Sequence, residues 1–395
     1  MSFINIQGKR MKILQIYTNT RPILAKKPVL VVLEILVVFL LTIFADRLLG
    51  VYFGKTLYFK AYTPNITVHY DTSEFKYDAI ISSQGLRNEE VSLKKPKNIL
   101  RILALGDSFT LGWGVNAEKS WPKQLEGRLR DAGNNVEVIN AGVAGAGLSL
   151  EVEVCRDYVG TFKPDQIVLG FYSTDDLAQN LVSYSERKRG LSKIVSSTWP
   201  NFAKLKQDKY VFETLGLDEK GEIFIQEVWK QRAESETKRR NNILENVSNR
   251  VAEDFEAGKL NPLQVIWAYE KPDFWLLVLN KDALSASISA TDEFLSQLKE
   301  CAGDVPVTVF LIPSQELVSK TYHQFRKELG FRVDDELLDF DFDKHLKPIV
   351  QNHGFDYISL LSDFRADGCL DCYFPYDSHM TEVGYRRVAE KFMIR

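Results

Sequence analysis

The longest apolar run in the chain lies near its start. Residues 28–45, from Pro28 to Ala45, are apolar except for Glu34 and Thr42. As helix such a run rises about 27 Å, close to the thickness of a bilayer's hydrocarbon core. A helix buried in a globular core normally keeps a polar face, and this run shows almost none. No small-x-small cleavage site follows it, since Asp46-Arg47-Leu48 comes next. The pattern predicts a transmembrane helix over residues 28–45, with Glu34 either against a partner or protonated.

Beyond the anchor the pattern changes twice. Residues 46–97 make a juxtamembrane region, and from residue 50 they read as extended and turn-rich. From residue 98 short apolar runs alternate with amphipathic stretches. Ile99–Leu105, Val136–Asn140, Gln166–Tyr172, Val307–Pro313 and Asp356–Leu360 are predicted strands. Trp121–Ala132, Leu148–Phe162, Phe294–Cys301 and Thr381–Phe392 are predicted helices. Pro122 sits in the first turn of one of these, and Gly133 ends it. The alternation predicts an α/β domain over residues 98–395, with a parallel sheet covered on both faces. Between residues 181 and 285 the rhythm is lost. That stretch is rich in charge and aromatics, with helical pieces such as Ala233–Phe255. It reads as a largely helical insertion, either shaping a cleft or decorating the surface.

Charge orients the chain. Residues 1–27 carry Lys9, Arg10, Lys12, Arg21, Lys26 and Lys27 and no acidic residue. The positive-inside rule places this tail in the cytoplasm and everything after residue 46 in the periplasm or outside the cell. The net charge of -3 over 395 residues lacks the basic footprint of a nucleic-acid binder. An external location bears on the four cysteines, Cys155, Cys301, Cys369 and Cys372. The Cys369-Leu370-Asp371-Cys372 pair forms a disulfide in an oxidising compartment or stays as two thiols. No second cysteine pair lies at zinc-ligand spacing.

The chemistry concentrates at two places. The first predicted strand delivers Gly106-Asp107-Ser108 to the C-terminal edge of the sheet, where open α/β sheets bind ligands. Gly106 permits a tight turn. Ser108 at a helix start is either a nucleophile beside unpaired N–H groups or a helix cap. A nucleophile needs a base, and the base needs an orienting group. Of five histidines, His69, His323, His345, His353 and His379, only His379 stands in a suitable run, Phe374-Pro375-Tyr376-Asp377-Ser378-His379. Asp377 can fix its tautomer. An oxyanion needs donors. The N–H of Ser108 is one, and the run Asn140-Ala141-Gly142-Val143-Ala144-Gly145 offers another at Gly145.

These blocks, in this order, resemble the SGNH (GDSL-like) hydrolase superfamily. GDSFT at 106–110, Asn140 with Gly145, and Asp377 and His379 with Gly384 carry the likeness. LALGDSFTLGWGV and YFPYDSHMTEVGY are most similar to membrane-anchored bacterial members associated with envelope polysaccharides. The resemblance implies a three-layer α/β/α, flavodoxin-like fold. It implies Ser108 as nucleophile, His379 as base, Asp377 as orienter, and the N–H groups of Ser108 and Gly145 in the oxyanion hole, with no metal or cofactor. Two features depart from the family pattern. The family's third block carries an oxyanion-binding Asn, and here Asp175 takes that position; Ser173, Thr174 or Asn180 are substitutes. Asp377 precedes His379 by two residues rather than three, with Asp371 as a second candidate orienter.

The reading that follows is an envelope-facing esterase or O-acyltransferase acting on esters, acetyl esters above all, of a carbohydrate. A lipase or lysophospholipase is the second enzyme reading, with Trp199, Phe202, Trp229, Trp267, Trp275 and Leu276 as apolar lid surface. A reading of another class is a non-catalytic binding protein on a decayed hydrolase scaffold, prompted by Asp175.

Overall fold

The computed structural model describes residues 30–49, 62, 64–187, 198, 199, 202 and 222–393. The chain divides into two compact units, Met1–Thr56 with Gly190–Lys206, and Leu57–Arg189 with Gln207–Arg395. In the first unit, residues 30–49 form helix α1, and its apolar side chains from Leu30 to Leu41 are exposed. The Trp199 indole N–H donates to Thr42 Oγ1 at 3.0 Å, and its ring meets Phe39 edge-on. Among the described residues, no helix is long and apolar enough to cross a membrane. Glu34, Asp46 and Arg47 all fall within α1. The expected cytoplasmic tail, and Pro28 and Val29 of the apolar run, lie outside the described residues.

The second unit opens with a hairpin, β1 (Thr67–Asp71) and β2 (Lys76–Ile80). The expected extended region therefore holds regular structure. β1 also pairs in parallel with β6 (Glu222–Phe224), making a small sheet in the order β2-β1-β6. The main sheet comprises β3 (Leu100–Gly106), β4 (Val136–Asn140), β5 (Gln166–Tyr172), β7 (Val307–Ile312) and β8 (Asp356–Ser359). It is parallel throughout, in the order β4-β3-β5-β7-β8. β3, β5 and β7 are buried on both faces, so they read as nearly continuous apolar runs, interrupted by Arg101 and Thr308, rather than alternating ones. This is the flavodoxin-like order, whose switch point lies between β3 and β5.

The helices follow as α2 (Ser108–Leu111), α3 (Trp121–Asp131), α4 (Leu148–Phe162), α5 (Ser173–Arg187), α6 (Ile225–Ser235), α7 (Arg240–Leu244), α8 (Asn249–Glu256), α9 (Pro262–Glu270), α10 (Lys281–Ala302), α11 (Lys320–Glu328), α12 (Asp343–Asn352), α13 (Leu361–Asp367) and α14 (Glu382–Met393). α3 packs with α14, and α10 packs with α4 and α5. A disulfide joins Cys155 of α4 to Cys301 of α10.

Two expectations need correction. The predicted helical piece Ala233–Phe255 is three helices, α6, α7 and α8. The last restarts at Ser248, whose hydroxyl accepts the Val251 N–H. The helix predicted at Phe294–Cys301 begins earlier, at Lys281, where the Asn280 side chain accepts from Asp282 and Ala283. Its first half buries Leu284 but otherwise only small residues, Ser287, Ala290 and Thr291, so its bulky stripe is short of what marks an amphipathic helix.

Candidate active site

β3 ends at Gly106, with φ of +146°. A Cβ there would collide with Thr110 Oγ1 and lie 2.9 Å from the Gly170 carbonyl oxygen, so only glycine fits. The next residue, Asp107, caps α2 by accepting the Phe109 N–H at 2.9 Å. Ser108 is thus the first helical residue, not the cap.

The chain's far end supplies the partners. His379 Nε2 lies 2.7 Å from Ser108 Oγ, and His379 Nδ1 lies 2.5 Å from Asp377 Oδ1. In the neutral tautomer this assigns, Nδ1–H donates to Asp377 and Nε2 accepts from the Ser108 hydroxyl. Ser378, between Asp377 and His379, has φ of +71°. That left-handed residue folds the chain so that the two side chains meet despite the short spacing. The imidazole packs against the rings of Phe109 at 4.9 Å and Trp113 at 5.3 Å. Asp371, the alternative orienter, makes no hydrogen bond to His379. It is exposed and lies next to the Cys369–Cys372 disulfide.

Two backbone donors stand where a strand end and a turn adjoin the serine. Among the described residues, neither the Ser108 nor the Gly145 N–H has an acceptor. Gly145 has φ of +72°. The neighbouring Ala144 N–H is used, donating to the Tyr62 hydroxyl at 2.8 Å, and Asn140 Oδ1 accepts the Gly142 N–H at 3.0 Å.

The position of the family's side-chain donor is occupied differently. Asp175 lies in the first turn of α5 and is buried. Its Oδ2 accepts from Gln179 Nε2 at 2.6 Å, and its Oδ1 has no partner among the described residues. Burial pushes its carboxyl up to about 6, against the opposing pull of Gln179 and His379. Asn180 is not its substitute. Its Oδ1 accepts the Leu148 N–H, and its Nδ2 donates to Thr291. Ser173 Oγ accepts the Ser314 N–H. Thr174 is buried at the same helix start.

Asp107, Asp175 and Asp176 bring carboxylate oxygens within 4.8 Å of one another. Burial pushes both Asp107 and Asp176 well up, with their acidic neighbours adding to it. Protons therefore compete with any cation for these oxygens. Cys369, Asp371 and Cys372 also cluster, but the two sulfurs are bonded to each other.

The remaining histidines serve elsewhere. His69 pairs with Asp78, His353 with Asp292, His323 bonds the Glu316 carbonyl, and His345 stacks on Phe340. Of the expected lid residues, Trp229 and Trp275 are buried in the core.

Sequence reasoning missed the groups that hold the histidine loop. The Glu74 carboxylate, at the turn of the β1–β2 hairpin, accepts the N–H of Tyr376 at 2.9 Å and of Asp377 at 2.7 Å. On the carbonyl side, the Arg326 guanidinium donates to Pro375 O at 2.9 Å and Tyr376 O at 2.5 Å, and Gln264 Nε2 donates to Asp377 O at 3.3 Å. Burial, with Asp377 adding to it, pushes the Glu74 carboxyl up to about 7. No local pattern marks these residues. The buried Arg326 is an arginine in an otherwise ordinary amphipathic helix.

Several known proteins are similar to this chain. The GDSL-like Lipase/Acylhydrolase family matches residues 104–387. An arylesterase of Vibrio mimicus is 30% identical over 77 residues, covering 20% of this chain and 38% of that protein. Among solved structures, a lipase/acylhydrolase from Enterococcus faecalis aligns with 75% of this chain and 94% of its own, at 13% identity and a TM-score of 0.39. The acetyl xylan esterase AlAXEase aligns with 75% of this chain and 98% of its own, at 13% identity and a TM-score of 0.37.

Proposed function

The chain belongs to the GDSL-like lipase/acylhydrolase family, and on that footing we propose that it is a serine ester hydrolase whose acyl-enzyme forms on Ser108. The observation that carries this is the relay of Ser108 Oγ, His379 and Asp377, at 2.7 and 2.5 Å. Ser108 Oγ attacks the ester carbonyl carbon while its proton passes to His379 Nε2. The carbonyl electron pair moves onto oxygen, where the N–H groups of Ser108 and Gly145 receive it. As the pair returns, the C–O bond breaks, and the alcohol leaves with the proton from His379. Water then attacks the acyl-serine with His379 again as base, and a carboxylic acid leaves. Asp377 stabilises the imidazolium in both halves.

The acyl group we assign is acetyl, and its carrier a carbohydrate of the cell envelope. The support is the likeness of the GDSFT and YDSH segments to anchored members of the superfamily. If a sugar hydroxyl replaces water in the second half, the same acyl-enzyme makes the protein an O-acyltransferase. We also propose that residues 28–45 anchor the chain, with its N-terminus cytoplasmic and the hydrolase outside. The apolar run, its basic flank and the Cys155–Cys301 disulfide support this. Alkaline carbonate that freed the full chain from membranes would count against the anchor.

The catalytic reading is tested with the detergent-solubilised full chain and its Ser108→Ala variant on 4-nitrophenyl acetate. A fluorophosphonate probe is expected to label Ser108 in the parent only. Equal turnover by parent and variant sinks the mechanism. Absence of labelling favours a binding protein instead.

A further inference from the structure

A cavity of about 340 Å³ is bounded by Leu111, Trp113 and Ala144. Tyr62, Tyr70, Tyr77, Trp113, Trp229 and Arg87 line it, and all six are buried side chains. Leu263, exposed, stands at its rim. Most of this wall is foreign to the parallel sheet. The β1–β2 hairpin provides Tyr70 and Tyr77, and α6 provides Trp229. The start of α9 provides Leu263.

The cavity adjoins the reacting groups at three points. Trp113, which follows α2, stacks on the His379 imidazole. Ala144, also in the wall, precedes the Gly145 donor. Gln264, next to Leu263, donates to the Asp377 carbonyl. An acetyl group is far too small to need this space, which is of the size that holds a small-molecule ring.

The wall's chemistry separates a sugar from a fatty chain. Tyr70 stacks on Tyr77 at 4.5 Å, and Trp113 lies parallel to Trp229 at 6.5 Å. Flat aromatic faces suit the C–H face of a pyranose. The wall is also polar. Tyr62, Arg87, Arg232 and Asn261 are among the residues that line it. The Nη groups of Arg87 donate to the carbonyls of Leu111, Gly112 and Val115. Its Nε–H and the Trp113 indole N–H are buried without an acceptor among the described residues. Those two N–H groups are closed off from the cavity, and its polar lining rests on Arg232 and Asn261, residue types that suit ring hydroxyls better than an alkyl chain. Among the described residues, no carboxylate side chain lines the cavity.

We propose that this cavity is a subsite for one pyranose ring, on the alcohol side of the ester cleaved at Ser108. The proposal rests on the ester-hydrolase reading and names its substrate class. Two variants of the full chain test it, Trp229→Ala, which removes an aromatic face, and Leu263→Trp, which fills the mouth from an exposed position. Each is assayed on acetylated xylotetraose, 4-nitrophenyl acetate and 4-nitrophenyl octanoate. The expected result is a loss of roughly 10- to 100-fold in kcat/KM on the tetrasaccharide, the scale of one lost specific contact. 4-Nitrophenyl acetate should change by less than about threefold. Equal losses on both acetates, no loss in Leu263→Trp, or a loss confined to the octanoate would each overturn the proposal. So would a parent that cleaves 4-nitrophenyl acetate but neither binds nor cleaves the tetrasaccharide. If the parent cleaves no ester, the hydrolase reading itself fails. Tryptophan fluorescence with xylotetraose then judges the subsite alone. Quenching in the parent that Leu263→Trp abolishes supports it, and no quenching overturns it.

Discussion

Replacing Glu74 by glutamine is expected to make the stability curves of parent and variant cross between pH 5 and pH 8. The Glu74 carboxyl, pushed by burial from an ordinary 4.5 up to about 7, holds its proton in the folded protein where the unfolded chain has released it. Stability therefore falls as pH rises through the window from 4.5 to 7. The shift is worth at most about 3 kcal/mol at 1.36 kcal/mol per pH unit, and the partial exposure of the side chain trims it. Glutamine does not titrate, so this part of the slope disappears. Glutamine also presents an N–H₂ where one oxygen now accepts from Tyr376 or Asp377. Leaving one buried donor unmet costs about 1–3 kcal/mol at every pH. The variant should melt below the parent at pH 5 and level with it, or above it, at pH 8. Thermal melts across that range read the effect. Because the same two N–H groups carry the backbone of Asp377, kcat/KM on 4-nitrophenyl acetate should fall about 10-fold, or about 1.4 kcal/mol of transition-state stabilisation. Parallel melting curves would refute Glu74 as the source of the slope. Unchanged kcat/KM would refute its hold on the histidine loop.

Two further outcomes follow from the same geometry. Asp175, pushed up to about 6, is ionised above that pH and cannot donate to an oxyanion. Asp175→Asn should therefore raise kcat/KM on 4-nitrophenyl acetate about 10-fold or more at pH 8, with the gain shrinking below pH 6, where the protonated aspartic acid itself donates; a gain that does not vary with pH would refute this. Cys155→Ser should cost about 2–5 kcal/mol, because the disulfide closes a loop across a sequence separation of 146. The check is a lower melting temperature that reductant lowers further by less than it lowers the parent's, since only Cys369–Cys372 is left to reduce.

Much of the fold and site was legible because the signals are local. β3, β5 and β7 are buried on both faces, and a doubly buried strand announces itself as an apolar run. Gly106 and Gly145 mark backbone conformations open to few other residues, and Asp377 reaches His379 across a single left-handed residue. The short, capped helices between residues 222 and 270 were not legible as separate elements, since each is too brief to establish a period.

The sequence by itself marked Ser108, Asp377 and His379 and the strands of the main sheet. The tertiary structure decided who meets whom. Ser108 and His379 are 271 residues apart, Glu74 and Asp377 are 303 apart, and Cys155 and Cys301 are 146 apart. Residue patterns encode periodicity and turns over a few positions, because backbone sterics act at that range. Contacts across hundreds of residues depend on sheet order and on where a hairpin and an insertion come to rest. Those are outcomes of burying the whole core at once. The turn at Gly145 was thus foreseeable from its glycine. The clamp on the histidine loop and the aromatic cavity against Trp113 exist only in the folded chain.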